Sequence, residues 1–492
     1  YQSAYELCRQ NIAYYLNAKN PCLSILPYGS SIYKISKNLA ASADFISSSL
    51  INGYQWKACG VNSLIPFAFH AAYGPLNLKK VYEPFYSALS QAFRPTLENS
   101  LSQSDLLLTR WKESQRIDQD FIFQNESNKI KKIRIGFISH HFYAHSNTQA
   151  FKGIIKHLDR SRFEVILIHN QSTIVDSIHL ELNSLVDEVV YLSDSLAYSH
   201  MLILSLGLDI AFFTDLGMDP FDFILPEMRC CNIQITGWGL PHTSGLKSID
   251  YYLSSLLLEP PANQVEYTEK LILLNGLPCC FLKEDLYYRN LGRGYFMLPD
   301  EQLIIGCVQM LHKVHPDMDL MLEKIINKLP DACFVFVSSR RPGFDEAFMK
   351  RLAKRAPKAF ARTVMLERCD TKDFLALCDC MDIILDTPYY GAGVTAYMST
   401  YVGTPTVTFS GLRLRDSTMA GIYRYLAIKN APIVNSIPEY IDMVCELAMD
   451  FELRLQIKKD TVEAAQLLYD QLDYIRDFEK FCETLVLDAF KS

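Results

Sequence analysis

The stretch Leu385-Asp-Thr-Pro-Tyr-Tyr-Gly-Ala-Gly-Val-Thr395 decides the fold of this chain. The apolar run that leads into it, Asp382-Ile-Ile-Leu385, is typical of a buried strand, and the segment that follows has a helical pattern ending at Gly403-Thr-Pro405. Small residues between a strand and a helix let an anion approach backbone N–H groups and the positive end of the helix. The stretch therefore predicts a seat for the diphosphate of a nucleotide.

Size and composition exclude several classes of protein. A chain of 492 residues predicts more than one domain, and its net charge of −7 gives no overall basic field that would favour nucleic acid. No apolar run reaches the roughly 20 residues that a membrane span needs. The cysteines, such as those of Cys378-Asp-Cys380, lack the spacing of a zinc site. Buried, reduced thiols and a cytoplasmic location are therefore expected.

The hydrophobic pattern changes along the chain. The first residues have helical periodicity, as in Tyr5–Leu16 and Asn77–Leu89, and from Lys132 onward apolar strands alternate with helices. Such alternation predicts parallel sheets covered on both faces, here in two units separated by the polar stretch Lys283–Asp300. We predict an α/β fold of two doubly wound, Rossmann-like domains that face a cleft, with an α-helical N-terminal region and C-terminal helices. The predicted boundaries are 1–128, 129–290, 291–436 and 437–492.

Polar residues at strand ends are the candidates for the cleft. His140, His141 and His145 follow the strand Ile133–Ser139, but no acidic partner for a metal site is near them in sequence. His145, in a loop that opens a helix, is either a proton carrier or phosphate donor in the cleft, or a structural histidine. The segment Gly237-Trp-Gly-Leu-Pro-His-Thr-Ser-Gly245 is either a ligand-lining turn or a tight turn in the core.

The second unit supplies a positive charge. Lys313 lies between the strand Ile304–Val308 and a helix that begins near Asp317, where a diphosphate needs a counter-charge. Asp317 and Asp319 resemble an Asp-x-Asp metal motif, but their place at a helix start after Pro316 favours capping. Chemistry without a metal or another cofactor is the prediction.

Five segments, taken together and in order, resemble the catalytic region of family 41 glycosyltransferases, which includes protein O-linked N-acetylglucosamine transferases and bacterial adhesin N-glucosyltransferases. The resemblance covers roughly residues 130 to 435 and is closest to bacterial members. It implies a two-domain GT-B fold, a UDP-sugar in the cleft and inversion at the sugar carbon. The matching segments are Ile133–Thr148, Asp215–Pro220, Gly237–Gly245 with Ile249–Tyr251, Gln309–Pro316 and Leu385–Pro405.

The resemblance also implies roles for individual residues. His145 matches a cleft histidine near the sugar and the acceptor, and Lys313 matches a lysine that stabilises the departing diphosphate. Both are therefore the candidate catalytic residues. The implied nucleotide-sugar-binding residues are Trp238, Gly239, Pro241, Thr243, Gln309, Lys313, Arg368, Cys369, Phe374, Gly391, Gly393, Val394 and Thr395.

The chain departs from the family pattern at three positions. Many bacterial relatives have Asn before the Thr at position 395, and an acidic residue three positions beyond it that would hold the ribose hydroxyls. Here those positions are Val394 and Met398, and Leu240 replaces a histidine. Losing one buried hydrogen bond to a charged group costs about 1.5–3 kcal/mol, so weaker or altered nucleotide binding is expected.

The predicted function is transfer of N-acetylglucosamine or glucose from UDP-N-acetylglucosamine or UDP-glucose to a protein acceptor, at Ser/Thr or Asn. Two alternatives stay open at this point. One is a nucleotide-sugar-binding protein with impaired catalysis, which Val394 and Met398 suggest. The other is a UDP-N-acetylglucosamine epimerase on the same fold, which would need acidic groups near the sugar.

Overall fold

The computed structural model describes residues 70–119, 132–170, 173–218, 220–339 and 342–491. The predicted helix at Tyr5–Leu16 lies outside these ranges. The described chain begins with a short 3₁₀ turn, His70–Tyr73, and a long helix, α1, at Leu78–Gln119. The predicted helical segment Asn77–Leu89 coincides with the start of α1. Among the described helices, none combines the length and the apolar character needed to cross a membrane.

The first unit is built on a sheet of seven parallel strands. Their apolar side chains are buried on both faces, which is why the sequence shows continuous apolar runs. In chain order the strands are β1 Ile133–Ser139, β2 Phe163–His169, β3 Glu188–Tyr191, β4 Ile210–Phe213, β5 Ile233–Thr236, β6 Tyr251–Ser255 and β7 Lys270–Leu274. Across the sheet the order is β3-β2-β1-β4-β5-β6-β7, so the winding reverses between β1 and β4.

Helices connect the early strands of this sheet. Three of them begin with a side chain that accepts a backbone N–H, namely His145, Asp176 and Ser195. The helices are α2 Ser146–His157, α3 Ser177–Ser184, α4 Leu196–Ser205 and α5 Pro220–Ile224.

The second unit repeats this plan with six parallel strands. The strands are β8 Ile304–Cys307, β9 Cys333–Val337, β10 Thr363–Leu366, β11 Ile383–Leu385, β12 Thr406–Phe409 and β13 Ile433–Val434. The helices are α6 Pro316–Lys328, α7 Pro342–Arg355, α8 Pro357–Ala361, α9 Thr371–Asp379, α10 Val394–Val402 and α11 Leu414–Tyr425. The order β10-β9-β8-β11-β12-β13 places the reversal between β8 and β11, where open α/β sheets bind ligands.

The chain ends in three helices, of which the last returns to the first unit. They are α12 Ile437–Met449, α13 Phe451–Ala464 and α14 Asp473–Lys491. On α14, Phe478 is fully buried in the same apolar cluster as Phe212 of β4. Beside it, the buried carboxylate of Glu479 pairs with Arg162, which lies just before β2. The C-terminal helix is therefore part of the core of the first unit.

Replacing Phe478 with Ala should lower the free energy of unfolding by about 3 kcal/mol or more, because the substitution leaves a cavity in a packed core. The measurement is denaturant-induced unfolding followed by circular dichroism. Leu487 on the same helix is 59% exposed, so Leu487→Ala serves as the matched control and should change stability by about 0.5 kcal/mol or less. Equal effects of the two substitutions would show that α14 does not belong to this core.

Candidate functional site

A buried carboxylate shapes the loop between β11 and α10. Asp386 follows β11 directly, and its Oδ1 accepts the backbone N–H groups of Thr387 at 2.9 Å and Ala392 at 2.7 Å. Its Oδ2 accepts the hydroxyl of Thr408 at 2.7 Å. Burial raises the pKa of Asp386, although these hydrogen bonds and the charge of Lys313 act in the opposite direction. The loop thus folds around one side chain.

Both glycines of this loop lie in close contact with neighbouring side chains. A Cβ atom at Gly391 would lie 2.9 Å from the Asp386 carboxylate, and one at Gly393 would lie 3.3 Å from the Trp238 ring of the first unit. Gly393 is the N-cap of α10 and gives that helix no side-chain cap. The first turn of α10 therefore retains the backbone N–H groups and the partial positive charge that suit an anion.

Lys313 lies beside this helix start, as the sequence predicts for a counter-charge. It ends a 3₁₀ turn after β8, and its Nζ donates to the carbonyl of Gly391 at 3.1 Å. The same ammonium lies 5.0 Å from the centre of the Tyr390 ring. Burial lowers the pKa of Lys313 from 10.5 to about 8, although Asp386 opposes the shift. The site thus holds a cation that is only weakly paired by anions.

Gln309 connects β8 to the same helix start. Its buried amide donates to the hydroxyl of Thr395 at 2.9 Å, and Lys313 approaches its carbonyl oxygen at 3.4 Å. These contacts fix the second residue of α10 relative to the lysine. The structure therefore brings together five predicted site residues in the second unit, namely Gln309, Lys313, Gly391, Gly393 and Thr395.

Trp238 and Gly239 bring the first unit against the start of α10, the predicted diphosphate seat. The Trp238 ring is 7% exposed and lies edge-on to Tyr397 of α10, with 6.2 Å between ring centres. Its Nε1 has no hydrogen-bond partner among the described residues. A Cβ atom at Gly239 would lie 1.9 Å from the carbonyl of Thr214 and 2.5 Å from the Asn147 amide oxygen. Only glycine permits this turn to approach the strand ends so closely.

His145 is the N-cap of α2 and has a defined protonation pattern. Its Nδ1 accepts the N–H of Asn147 at 3.2 Å, so the proton of the neutral ring is on Nε2. Burial is the main reason that its pKa falls from 6.5 to about 4; the neighbouring His141 acts in the same direction, and Asp215 opposes it. His145 is therefore neutral near pH 7 and can donate a hydrogen bond through Nε2.

Thr243 lies in the interior of the first unit. It is fully buried, and its hydroxyl donates to the carboxylate of Glu269 at 2.6 Å while also accepting N–H groups of Gly245 and Thr268. These contacts occupy its hydroxyl inside the protein, and its place among the nucleotide-sugar contacts stays a prediction. Pro241, in the same turn, is partly buried.

The prediction that Asp317 and Asp319 cap the helix α6 is wrong. The N-cap of α6 is His315, whose Nδ1 accepts the N–H of Asp317. Asp319 is buried and pairs with two arginines of α7, Arg351 at 2.9 Å and Arg355 at 3.0 Å. The partners of Asp319 lie more than thirty residues away in sequence, which is why local pattern could not reveal them.

The predicted base-binding residues lie at the end of β10 and on α9. Arg368 is exposed, whereas Cys369 and Phe374 are partly buried against an apolar cluster that also contains Cys378 and Met398. Met398 is 8% exposed, and Val394 packs against the same cluster. Position 398, where the family resemblance implies an acidic residue, thus has apolar neighbours, among which a carboxylate would be costly.

Sequence reasoning missed two residues that shape the site. Asp386 was predicted only as part of the loop, although an aspartate directly after a buried strand is a usable signal. Arg415, near the start of α11, is buried and donates to the carbonyl of Leu76 at 2.7 Å. Its own carbonyl accepts the N–H of Gly391 at 2.8 Å. Arg415 therefore joins the loop to the segment before α1, and no local pattern predicts this contact.

Comparisons with known proteins agree with the motifs. Residues 290–478 match the model of glycosyl transferase family 41, which confirms the predicted resemblance. Similar proteins include two from Arabidopsis thaliana, both named as probable UDP-N-acetylglucosamine–peptide N-acetylglucosaminyltransferases. SEC is 22% identical over 51% of this chain and 26% of its own length; SPINDLY is 22% identical over 69% of this chain and 38% of its own. The chain thus spans well under half the length of these relatives.

A solved structure shares the whole described architecture. A mutant of the O-GlcNAc transferase from Thermobaculum terrenum superposes with a TM-score of 0.66 and 19% identity. The match covers 99% of this chain and 97% of that one. The predicted fold, two Rossmann-like units in a GT-B arrangement, is thereby confirmed.

The protonation of His145 can be measured directly. Since its pKa is lowered from 6.5 to about 4, the folded protein binds fewer protons here than the unfolded chain between these values. Stability should therefore fall as the pH drops through that window. In ¹⁵N-labelled protein, NMR should show the neutral Nε2–H form of His145 at pH 5.5, with His145→Gln identifying the signal. Titration of this signal near pH 6.5 would contradict the structure.

Proposed function

We propose that this chain, whose residues 290–478 match the model of glycosyl transferase family 41, transfers a sugar from a UDP-sugar to a protein side chain. The observation that carries the proposal is the weakly paired ammonium of Lys313 beside the uncapped start of α10. The names of the plant relatives favour N-acetylglucosamine over glucose and a peptide as acceptor. The acceptor atom is then a Ser/Thr hydroxyl or an Asn amide nitrogen.

The reaction is a single displacement with inversion at the anomeric carbon. As the bond to the diphosphate breaks, negative charge grows on the leaving oxygen. The Nζ of Lys313 and the N–H groups at Val394 and Thr395 stabilise that charge, and because they are already in place they need no reorganisation. This positive charge comes from the protein itself, so the proposed mechanism uses no metal.

The first unit positions the sugar and the acceptor in this proposal. His145 is neutral and carries its single ring hydrogen on Nε2, so it donates a hydrogen bond to the sugar or the acceptor. Trp238 and Gly239 cover the seat from the opposite side, and the Trp238 ring excludes water from the diphosphate. Excluding water strengthens each electrostatic contact in the site.

We place this reaction in the cytoplasm. The cysteines of the described residues are all free thiols, and most are buried. The adjacent pair Cys279 and Cys280 is one example, and burial raises the pKa of both thiols. Such inert, reduced thiols suit a reducing compartment.

A second candidate function is nucleotide-sugar binding without efficient transfer. Met398 supports it, because its apolar surroundings offer no carboxylate to the ribose at that position. Calorimetric titration with UDP, UDP-N-acetylglucosamine and UDP-glucose, with donor hydrolysis followed in parallel, separates the two functions. Binding without transfer or hydrolysis would favour the second candidate.

Replacing Lys313 with Ala should reduce sugar transfer at least about 100-fold, since one preorganised charge-stabilising group contributes roughly 3–4 kcal/mol to the transition state. The measurement is the intact mass of candidate acceptor proteins after incubation with UDP-N-acetylglucosamine or UDP-glucose. Lys328 lies on α6 and is 53% exposed, so Lys328→Ala is the matched control and should transfer normally. Unchanged transfer by a folded Lys313→Ala protein would refute the role of this lysine.

The pH dependence of kcat/KM should report the same lysine. Since the pKa of Lys313 in the free protein is lowered to about 8, its positive charge is present below that pH and lost above it. We expect kcat/KM for the donor to decline above about pH 8, while the wild-type fold persists by circular dichroism. A profile that stays flat to pH 10 would contradict the assignment.

A further inference from the structure

A histidine–aspartate pair lies at the strand ends of the first unit, beside His145. His141 follows β1, Asp215 follows β4, and the His141 Nδ1 lies 2.5 Å from the Asp215 Oδ2. The Asp215 side chain is 1% exposed, whereas that of His141 is 14% exposed. The carboxylate is therefore shielded from water, and part of the imidazole remains accessible.

Asp215 is held in place by two hydroxyls. The hydroxyl of Ser139 donates to its Oδ2 at 2.9 Å, and that of Thr214 donates to its Oδ1 at 3.3 Å. An ionised carboxylate only accepts hydrogen bonds, so the proton between the pair is on the His141 Nδ1. In the neutral ring the lone pair is then on Nε2, which becomes the proton-accepting atom. A base oriented by a third group is the arrangement of nucleophile-activating dyads and triads.

His145 cannot act as a proton acceptor in the same way. The His141 and His145 rings are stacked with centres 4.3 Å apart, but the Nδ1 of His145 already accepts the N–H of Asn147 as a helix cap. The two neighbouring rings thus offer opposite functions. His145 presents a donor N–H, and His141 presents an acceptor nitrogen.

A series of contacts connects this pair to the diphosphate seat. The amide of Asn147 donates to the hydroxyls of Ser139 and Thr214, which hold Asp215. The amide oxygen of Asn147 packs closely against Gly239, next to Trp238: a Cβ atom added at that glycine would lie 2.5 Å from this oxygen. Trp238 in turn contacts Gly393, and helices α2 and α10 contact each other. The pair therefore lies at the same edge of the cleft as the leaving-group site.

We propose that His141 is the general base of the transfer and that Asp215 is its positioning residue. The inference rests on the proposed function. The acceptor oxygen, or the Asn nitrogen, uses a lone pair to form the bond to the anomeric carbon. The bond from that carbon to the diphosphate oxygen breaks, and its electron pair leaves with UDP. The acceptor proton passes to the His141 Nε2, and Asp215 stabilises the resulting imidazolium until solvent removes the proton.

The charges around His141 favour this step. The groups that lie against it are His140, Tyr143 and His145 on its own loop, and Asp215, which follows β4. Burial, Asp215 and Asp176 raise the pKa of Tyr143, so its phenol stays protonated and does not compete as a base. Asp215, in direct contact with His141, is therefore the group placed to compensate a positive charge on that ring.

The test compares His141→Ala with His140→Ala, the neighbouring histidine, as the matched control. General-base catalysis contributes about 100-fold or more, so His141→Ala should lower kcat for sugar transfer by that factor without weakening UDP binding. Added imidazole should restore transfer in proportion to its free-base concentration. Asp215→Asn should shift the acidic limb of the kcat/KM profile to lower pH, since the amide no longer stabilises the imidazolium.

The outcomes separate this inference from the proposed function. Wild-type protein that neither binds UDP-sugars nor transfers sugar would refute the proposed function itself. If the wild type transfers sugar, but His141→Ala does so within threefold of it, the base is not His141. A loss that imidazole does not restore, with an unshifted acidic limb in Asp215→Asn, would equally overturn the inference and leave a structural role for the pair.

Discussion

The buried carboxylate of Asp386 is the constraint on which the site depends. Because it accepts N–H groups from Thr387 and Ala392 and a hydroxyl from Thr408, it folds the loop after β11 into one shape. That shape leaves the start of α10 without a side-chain cap and places the carbonyl of Gly391 within reach of Lys313. Asp386 does not itself contact the anion in this account. By shaping the loop, it brings the uncapped start of α10 and the ammonium of Lys313 together, and these supply the local positive charge.

Neither unit forms this site alone. Trp238 of the first unit meets Gly393 of the second, Arg415 binds the segment before α1, and α14 returns from the C-terminus to the first core. These three connections fix the strand ends of both sheets against each other. The two units therefore have different roles. The second unit holds the positive charge for the leaving group, and the first unit holds the histidines.

Much of the fold could be read from the sequence because apolar strands and small-residue turns are local signals. The predicted strand at Ile133–Ser139 is observed unchanged, whereas that at Ile304–Val308 ends one residue earlier, at Cys307. Lys313 and the glycines of the α10 loop were predicted from strand-end position alone. The capping role predicted for Asp319 was wrong because its partners, Arg351 and Arg355, are distant in sequence. The contact between Thr243 and Glu269 is likewise distant in sequence. Local pattern locates an edge of a sheet but does not show which polar groups there are already paired.

The most direct test of this account is a crystal structure of the protein with UDP. The account predicts that the diphosphate lies within hydrogen-bond distance of the Lys313 Nζ and of the N–H groups that open α10 at Val394 and Thr395. It also predicts that the loop around Asp386 keeps its shape, since the seat is already formed. A diphosphate bound elsewhere, or density for UDP that avoids Lys313, would contradict the central claim.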